Sequence, residues 1–180
     1  RNIEKAKYAM EKIKTPNDDL PSLQILKIDI SSLSSVREFA RTIIDDNNIK
    51  QIDGLLLNAG IMALPERKES VDGYELQMAT NVLGHHLLTS LLLPKIIKAP
   101  RSVLVSTTSS ASSTINSERI WDDLNAEDKY DPWEVYGVSK IAAVQFRDRL
   151  LELLKKANLE NQIFVHSTHP GLTATPLFDA

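Results

Sequence analysis

Ile52-Asp53-Gly54-Leu55-Leu56-Leu57-Asn58-Ala59-Gly60 is the stretch on which the fold turns. A strand alternates in polarity when one face meets water, and becomes a nearly unbroken apolar run when helices cover both faces. Ile52 to Leu57 is such a run, so it reads as a strand of a sheet with helices on both faces. Asn58-Ala59-Gly60 follows at once, a small turn that lets backbone come close to a ligand, with Asn58 able to hold the turn by hydrogen bonding. Taken alone, the tripeptide reads equally well as a tight strand-to-helix connection.

Apolar spacing on either side of this stretch alternates between two periods. Ile3, Ala6, Met10 and Ile13 repeat at helical spacing before Pro16-Asn17. Gln24 to Ile30 is a short β-like run. Ser32 or Ser35 can cap the next helix, with Ser35 and Glu38 in capping-box order, and Val36, Phe39, Ala40, Ile43 and Ile44 form its stripe. A long helix is predicted from about Gly73 to Lys98, ended or kinked by Pro94. Ser102 to Ser106 reads as a strand, followed by a Ser/Thr-rich stretch up to Pro132, which suits a helix start. Val135, Val138, Ala142, Phe146, Leu150 and Leu153 then make a stripe down to Lys156, and Gln162 to Ser167 is a last strand. Strands joined by helices long enough for parallel crossovers define an α/β class with a parallel sheet.

Composition narrows the function. The chain has 180 residues, 42% hydrophobic and 25% charged, as expected of one soluble globular domain. With 21 basic against 24 acidic residues it has no positive excess to neutralise phosphates, so no nucleic-acid partner is expected. It has no Cys, which rules out disulfides, thiolate metal sites and thiol nucleophiles. Leu87 to Pro94 is far short of the roughly 18–20 apolar residues of a membrane span. The expected location is cytoplasmic, with an anchor upstream of Arg1 left open.

Four groups sit where open α/β sheets bind ligands, beyond strand ends. Asn58-Ala59-Gly60 is the first. In Tyr136-Gly137-Val138-Ser139-Lys140, positions i and i+4 share a helix face, so the Lys140 ammonium lies beside the Tyr136 phenol. A neighbouring positive charge favours phenolate, which a proton donor and acceptor for a carbonyl/alcohol pair needs. Tyr-x-x-x-Lys alone is also common on solvated helices. Ser106-Thr107-Thr108-Ser109-Ser110 offers hydroxyls at a strand exit, one of which could bond a substrate oxygen. Pro170-Gly171 with Thr173 and Thr175 is a turn where backbone and hydroxyl could meet an amide or phosphate.

The order and spacing of these groups resemble the short-chain dehydrogenase/reductase family over nearly the whole chain. The matching stretches are Asp29-Ile30, Asn58-Ala59-Gly60, Asn81 in Asn-Val-Leu-Gly-His, the Ser/Thr strand exit, Tyr136-x-x-x-Lys140 and Pro170-Gly171-x-x-x-Thr175. Thr80 to Thr89 is similar to the retinol-dehydrogenase and WW-domain-oxidoreductase-like branch, as is Asp123-Leu124 shortly before Tyr136. The resemblance implies a Rossmann-like doubly wound sheet and hydride transfer between a nicotinamide and an alcohol or carbonyl, such as a retinoid, steroid or other lipophilic alcohol. It implies Tyr136 as acid/base, Lys140 tuning Tyr136 and holding the nicotinamide ribose, and Asn81 in a helix kink holding a water near Lys140. Asp29 and Ile30 would border the adenine; Asn58, Ala59 and Gly60 would line the cofactor ribose. Pro170, Gly171, Thr173 and Thr175 would contact carboxamide or diphosphate. Arg1 matches a position that often pairs with the adenosine 2′-phosphate, which favours NADP, with NAD the alternative. The intact protein has room to form a homodimer.

Three departures from the family pattern follow. Thr107 stands where the family has its serine; it keeps a hydroxyl with narrower rotamer choice, and Ser109 is the alternative after a register shift. Leu57 replaces the first Asn of the frequent Asn-Asn-Ala-Gly. No Thr-Gly-x-x-x-Gly-x-Gly loop, which seats the cofactor pyrophosphate at a helix N-terminus, occurs in these 180 residues. Arg1-Asn2 aligns just after the family's second strand. A partial domain over residues 1–180 is therefore expected, without the first two strands and the C-terminal end. Those strands belong between the two halves read here in the order 3-2-1-4-5-6. One buried strand contributes on the order of 10 kcal/mol, as much as a typical domain's whole net stability. The 180 residues alone are thus expected to fold poorly and to bind no cofactor. A catalytically silent or truncated relative serving as a binding or dimerising module is the competing function. A sugar-nucleotide epimerase shares Tyr-x-x-x-Lys but fits Asn58-Ala59-Gly60 and the Asn81 segment poorly.

Other conspicuous residues read as structure. Adjacent His85 and His86 lie about 100° apart on a helix and cannot form an i,i+4 metal pair, and His166 and His169 have no carboxylate cluster, so no metal is expected. Trp121 and Trp133 are expected to anchor the long loop rather than to stack on a substrate. Asp45-Asp46-Asn47-Asn48 reads as a solvated helix end.

Overall fold

In a computed structural model of the chain, residues 2–13, 23–113 and 121–171 are described. Three strands, β1 (Gly54–Leu57), β2 (Ser102–Thr107) and β3 (Ile163–Thr168), form one parallel sheet in the order β1-β2-β3. Their register aligns Leu55 with Leu104 and Val165 on one face, and Leu56 with Val105 and His166 on the other. Helices α2 (Leu33–Asp45), α4 (Gly84–Ile96) and α5 (Pro132–Lys156) supply the rest of the core: Val36 and Ala40, Leu88, Leu92 and Ile96, and Leu150 and Leu154 close on Leu57, Leu104 and Ile163. The result is a partial Rossmann-like α/β architecture.

Local signals explain most element boundaries. α5 begins where Asp131 accepts the backbone N–H groups of Trp133 and Glu134 at 3.0 and 2.9 Å, with Pro132 at the first helical position. Ser32 caps α2 by accepting the Ser35 N–H. The Ser35–Glu38 capping box does not form, because the Ser35 hydroxyl is taken by the Asp29 backbone N–H at 2.9 Å. Along α5, Leu154 rather than Leu153 enters the core, and Leu153 is exposed. α1 (Ile3–Ile13) is helical, yet none of its residues is buried.

Two expectations change more. Residues 24–30 are not a strand: a ladder needs a hydrogen-bonding neighbour, and among the described residues no strand runs beside this one. Instead of running from Gly73 to Lys98, the long helix starts at Leu76. A short α3 (Leu76–Met78) leads into a π-turn (Ala79–Leu83) and then α4. Pro94 lies inside α4, three residues from its end. Its ring leaves the Ser90 carbonyl without an N–H four residues on, yet the helix continues to Ile96. Gly84 opens α4 close against the backbone of Ile30: a Cβ there would lie 1.9 Å from the Ile30 carbonyl oxygen.

Candidate active site

The carboxyl ends of β1 and β2, the π-turn and the middle of α5 line one small crevice. Leu57, Asn81, Val82, His85, Thr107 and Phe146 are among its lining residues. A π-turn is wider than an α-turn and releases backbone groups for other partners. Here it brings Asn81 inward. The Asn81 amide accepts the Ile61 N–H at 3.0 Å and donates to the Ile61 carbonyl at 3.0 Å and to Ser139 Oγ at 2.9 Å. Ser139, fully buried, donates its hydroxyl hydrogen bond to the Tyr136 carbonyl at 2.7 Å. Asn81 thereby joins the turn after Gly60 to the helix carrying Tyr136.

Tyr136 and Lys140 are both buried, and the Lys140 ammonium stands 5.5 Å from the Tyr136 ring centroid. Lys140 Nζ donates to the Thr107 carbonyl at 3.1 Å. Burial lowers the Lys140 pKa to about 8, since desolvation disfavours the charged form. A Cβ at Gly60 would lie 3.2 Å from Asn81 Oδ1 and 3.6 Å from Lys140 Nζ, so the missing side chain leaves room for this polar cluster. His85 extends it: its buried ring donates Nδ1–H to the Asn81 carbonyl at 3.2 Å. Burial holds the His85 pKa down to about 4, with the nearby Lys140 charge adding to the effect.

The strand-exit hydroxyls separate by role. Ser106 bonds Ser167, and Thr108 donates to the Thr168 carbonyl, both tying β2 to β3. Ser109 accepts the Ala111 N–H in the turn that leads away from the sheet. Thr107 instead donates to Asn58 Oδ1 at 2.9 Å, beside the carbonyl that holds Lys140. Ala59 lies between Asn58 and Gly60 in the same turn. The Asp29 carboxylate accepts the Ser31 N–H and hydroxyl in its own turn, and Ile30 packs under Gly84. Gly171 follows Pro170 at φ +70°, a left-handed conformation that suits glycine. Arg1, Thr173 and Thr175 lie outside the described residues.

Sequence reasoning missed the buried polar clamp behind this cluster. Gln77, fully buried, accepts the Ala63 N–H at 2.8 Å and donates to Tyr130 Oη at 3.1 Å and the Pro132 carbonyl at 3.3 Å. Tyr130 donates to the Leu64 carbonyl, and Asn125 accepts the Glu75 N–H at 2.7 Å. Glu75, also fully buried, caps α3 through the Met78 N–H, and burial pushes its carboxyl above the usual range. The loop after Gly60, the Asn81 turn and the approach to Tyr136 are thus stitched together. Polar residues at the start of an otherwise apolar helical pattern were the available signal. The tryptophans also depart from expectation: Trp121 is 39% and Trp133 56% exposed, so neither is buried as an anchor. Among the described residues no three His, Asp or Glu side chains gather as a metal site, and no helix is long and apolar enough to cross a membrane.

A parallel sheet with Asn, Tyr and Lys gathered at the carboxyl ends of its strands defines the class, a Rossmann-like domain. More specifically, the chain belongs to the short-chain dehydrogenase family, whose model matches residues 1–120. It is 34% identical over 178 residues to retinol dehydrogenase 13 of Mus musculus, covering 98% of this chain and 50% of that protein. With short-chain dehydrogenase/reductase prx1 of Penicillium roqueforti it shares 37% identity over 146 residues, covering 80% of this chain and 41% of that protein. Among solved structures, an uncharacterized protein from Mycobacterium paratuberculosis superposes with a TM-score of 0.78 at 32% identity, covering 98% of this chain and 59% of the other. The chain therefore spans half or less of the length of these two curated relatives.

Proposed function

We propose that this chain carries the catalytic half of an NAD(P)-dependent oxidoreductase that interconverts a lipophilic alcohol and its carbonyl. The observation that carries the reading is the buried Tyr136–Lys140 pair beside Gly60 and Asn81. A bound nicotinamide cofactor supplies the acceptor or donor of the hydride. On oxidation, Tyr136 takes the hydroxyl proton while the carbinol carbon loses hydride; on reduction, Tyr136 returns a proton to the carbonyl oxygen. Thr107 supplies the hydroxyl that orients the substrate oxygen, and Asn81 and Ser139 hold the tyrosine's helix in place.

The nicotinamide-ribose half of such a cofactor fits the residues present. Among the described residues Lys140 Nζ, with three donors, has one acceptor, the Thr107 carbonyl, and ribose hydroxyls are suited to the remainder. Asp29, Ile30, Asn58, Ala59, Gly60 and the Pro170-Gly171 turn are proposed contacts, with NADP favoured over NAD on Arg1. In the intact protein Tyr136→Phe is expected to abolish turnover and spare cofactor affinity, measured by steady-state kinetics and nucleotide titration. Normal rates would remove Tyr136 from the mechanism. One observation favours the silent-module reading: the Thr107 hydroxyl is engaged with Asn58. Thr107→Ala separates the two, costing an active enzyme about 100-fold in kcat.

A further inference from the structure

Trp133, Tyr136 and Lys140 are spaced i, i+3 and i+7 on α5 and share one face of that helix. The stripe is graded in burial. Lys140 and Tyr136 are 6% and 5% exposed, whereas Trp133, one turn nearer the helix start, is 56% exposed. The indole stands edge-on to the Tyr136 ring, with centroids 6.1 Å apart and planes at 86°. Asp131 caps the N–H groups of Trp133 and Glu134, which fixes this first turn in place. A large apolar ring left mostly in water beside a buried tyrosine contributes little to the core. It is instead a rigid contact surface with few rotatable bonds to freeze on binding.

We infer that Trp133 contacts the substrate skeleton and makes the site prefer flat, ring-bearing or conjugated alcohols and carbonyls over small linear ones. The inference rests on the proposed reaction at Tyr136. A substrate whose oxygen meets that hydroxyl extends its remaining atoms toward solvent, past the exposed indole. A planar π-system there gains an aromatic contact that a short alkyl chain cannot make.

The test compares reduction of cinnamaldehyde and butanal by the intact protein with NADPH. In Trp133→Ala the ratio of kcat/KM for cinnamaldehyde over butanal is expected to fall about three- to tenfold, the range an aromatic pair supplies. Trp133→Phe is expected to restore most of it. A ratio unchanged in Trp133→Ala, or an equal fall for both aldehydes, overturns the inference. Wild-type protein that reduces neither aldehyde sinks the proposed reaction instead. Ligand-observed NMR titration with cinnamaldehyde then decides the role of Trp133 by itself: weaker binding in Trp133→Ala by a similar factor supports it, and equal binding overturns it.

Discussion

The two faces of the three-stranded sheet are built to different standards. One meets α2, α4 and α5, and its residues Leu57, Leu104 and Ile163 are almost fully buried. The other presents Leu56, which is 71% exposed, with Val103, Val105 and Phe164 only partly covered and the Arg101 guanidinium 4.7 Å from the Phe164 ring centroid. Asn81, Tyr136, Ser139 and Lys140 all come from elements on the covered side. The candidate site can therefore be assembled while half of the sheet lacks a partner among the described residues. Site geometry depends on the packing of three helices, and overall stability depends on what meets the second face.

Glycine substitutions test this contrast most sharply. At Gly84 a Cβ would meet backbone, at 1.9 Å from the Ile30 carbonyl oxygen, and backbone cannot rotate away. Gly84→Ala is expected to cost more than about 4 kcal/mol, read as loss of a cooperative melt or a large fall in its midpoint. At Gly54, on the open side of β1, the nearest atom to a Cβ is Val103 Cγ1 at 3.8 Å, an ordinary contact. Gly54→Ala is expected to stay within about 0.5 kcal/mol of wild type. Similar melts for the two variants would mean that the close approach of residue 30 to α4 is not present in solution.

A smaller effect is expected from paired leucine truncations. Leu104→Ala removes a side chain 2% exposed and is expected to cost about 3 kcal/mol in denaturant unfolding. Leu56, one residue out of phase on the neighbouring strand, is 71% exposed, and truncating a side chain left so open costs less than about 0.5 kcal/mol. Leu56→Ala in the intact protein sharpens the comparison. A cost there like that of Leu104→Ala would show that further chain covers the second face, and no cost would show that the face stays open.

Much of this arrangement was legible in the residues, and the misreadings have identifiable causes. The runs at Ile52–Leu57, Ser102–Ser106 and Gln162–Ser167 hold three parallel strands, because each is a short apolar run set between helical stretches. Gln24–Ile30, with Leu26, Ile28 and Ile30 at strand-like spacing, forms no strand, since apolar pattern cannot supply the neighbour that a ladder requires. Ser35 looked like a helix cap because of Glu38 three residues on; its hydroxyl serves Asp29 across a tertiary contact invisible to local spacing. Tyr136, Lys140, Asn81 and Thr107 were singled out from the sequence and lie close together, linked through Ser139 and the Thr107 carbonyl. The clamp of Gln77, Glu75, Asn125 and Tyr130 was not, because its hydrogen bonds join residues about 50 positions apart. The π-turn at Ala79–Leu83 falls where the family resemblance implied a helix kink at Asn81, although apolar spacing alone does not distinguish it from ordinary helix.

Acid stability probes the covered side through one residue. His85 is buried beneath the site, and its pKa is lowered from 6.5 to about 4. A folded-state pKa below the unfolded value means the unfolded chain binds the proton more readily, so acid favours unfolding. Above pH 6.5 the ring is neutral in both states and carries no penalty. As pH falls from 6.5 toward 4, stability is lost, reaching about 3 kcal/mol where the unfolded ring is protonated and the folded ring resists. His85→Asn is expected to remove that part of the slope in urea midpoints measured between pH 7 and pH 4. Exposed His166, on the open face of β3, is the control, and His166→Gln is expected to leave the slope in place. The reverse pattern, with the acid slope following His166, would mean that the helix-covered face is the wetter of the two.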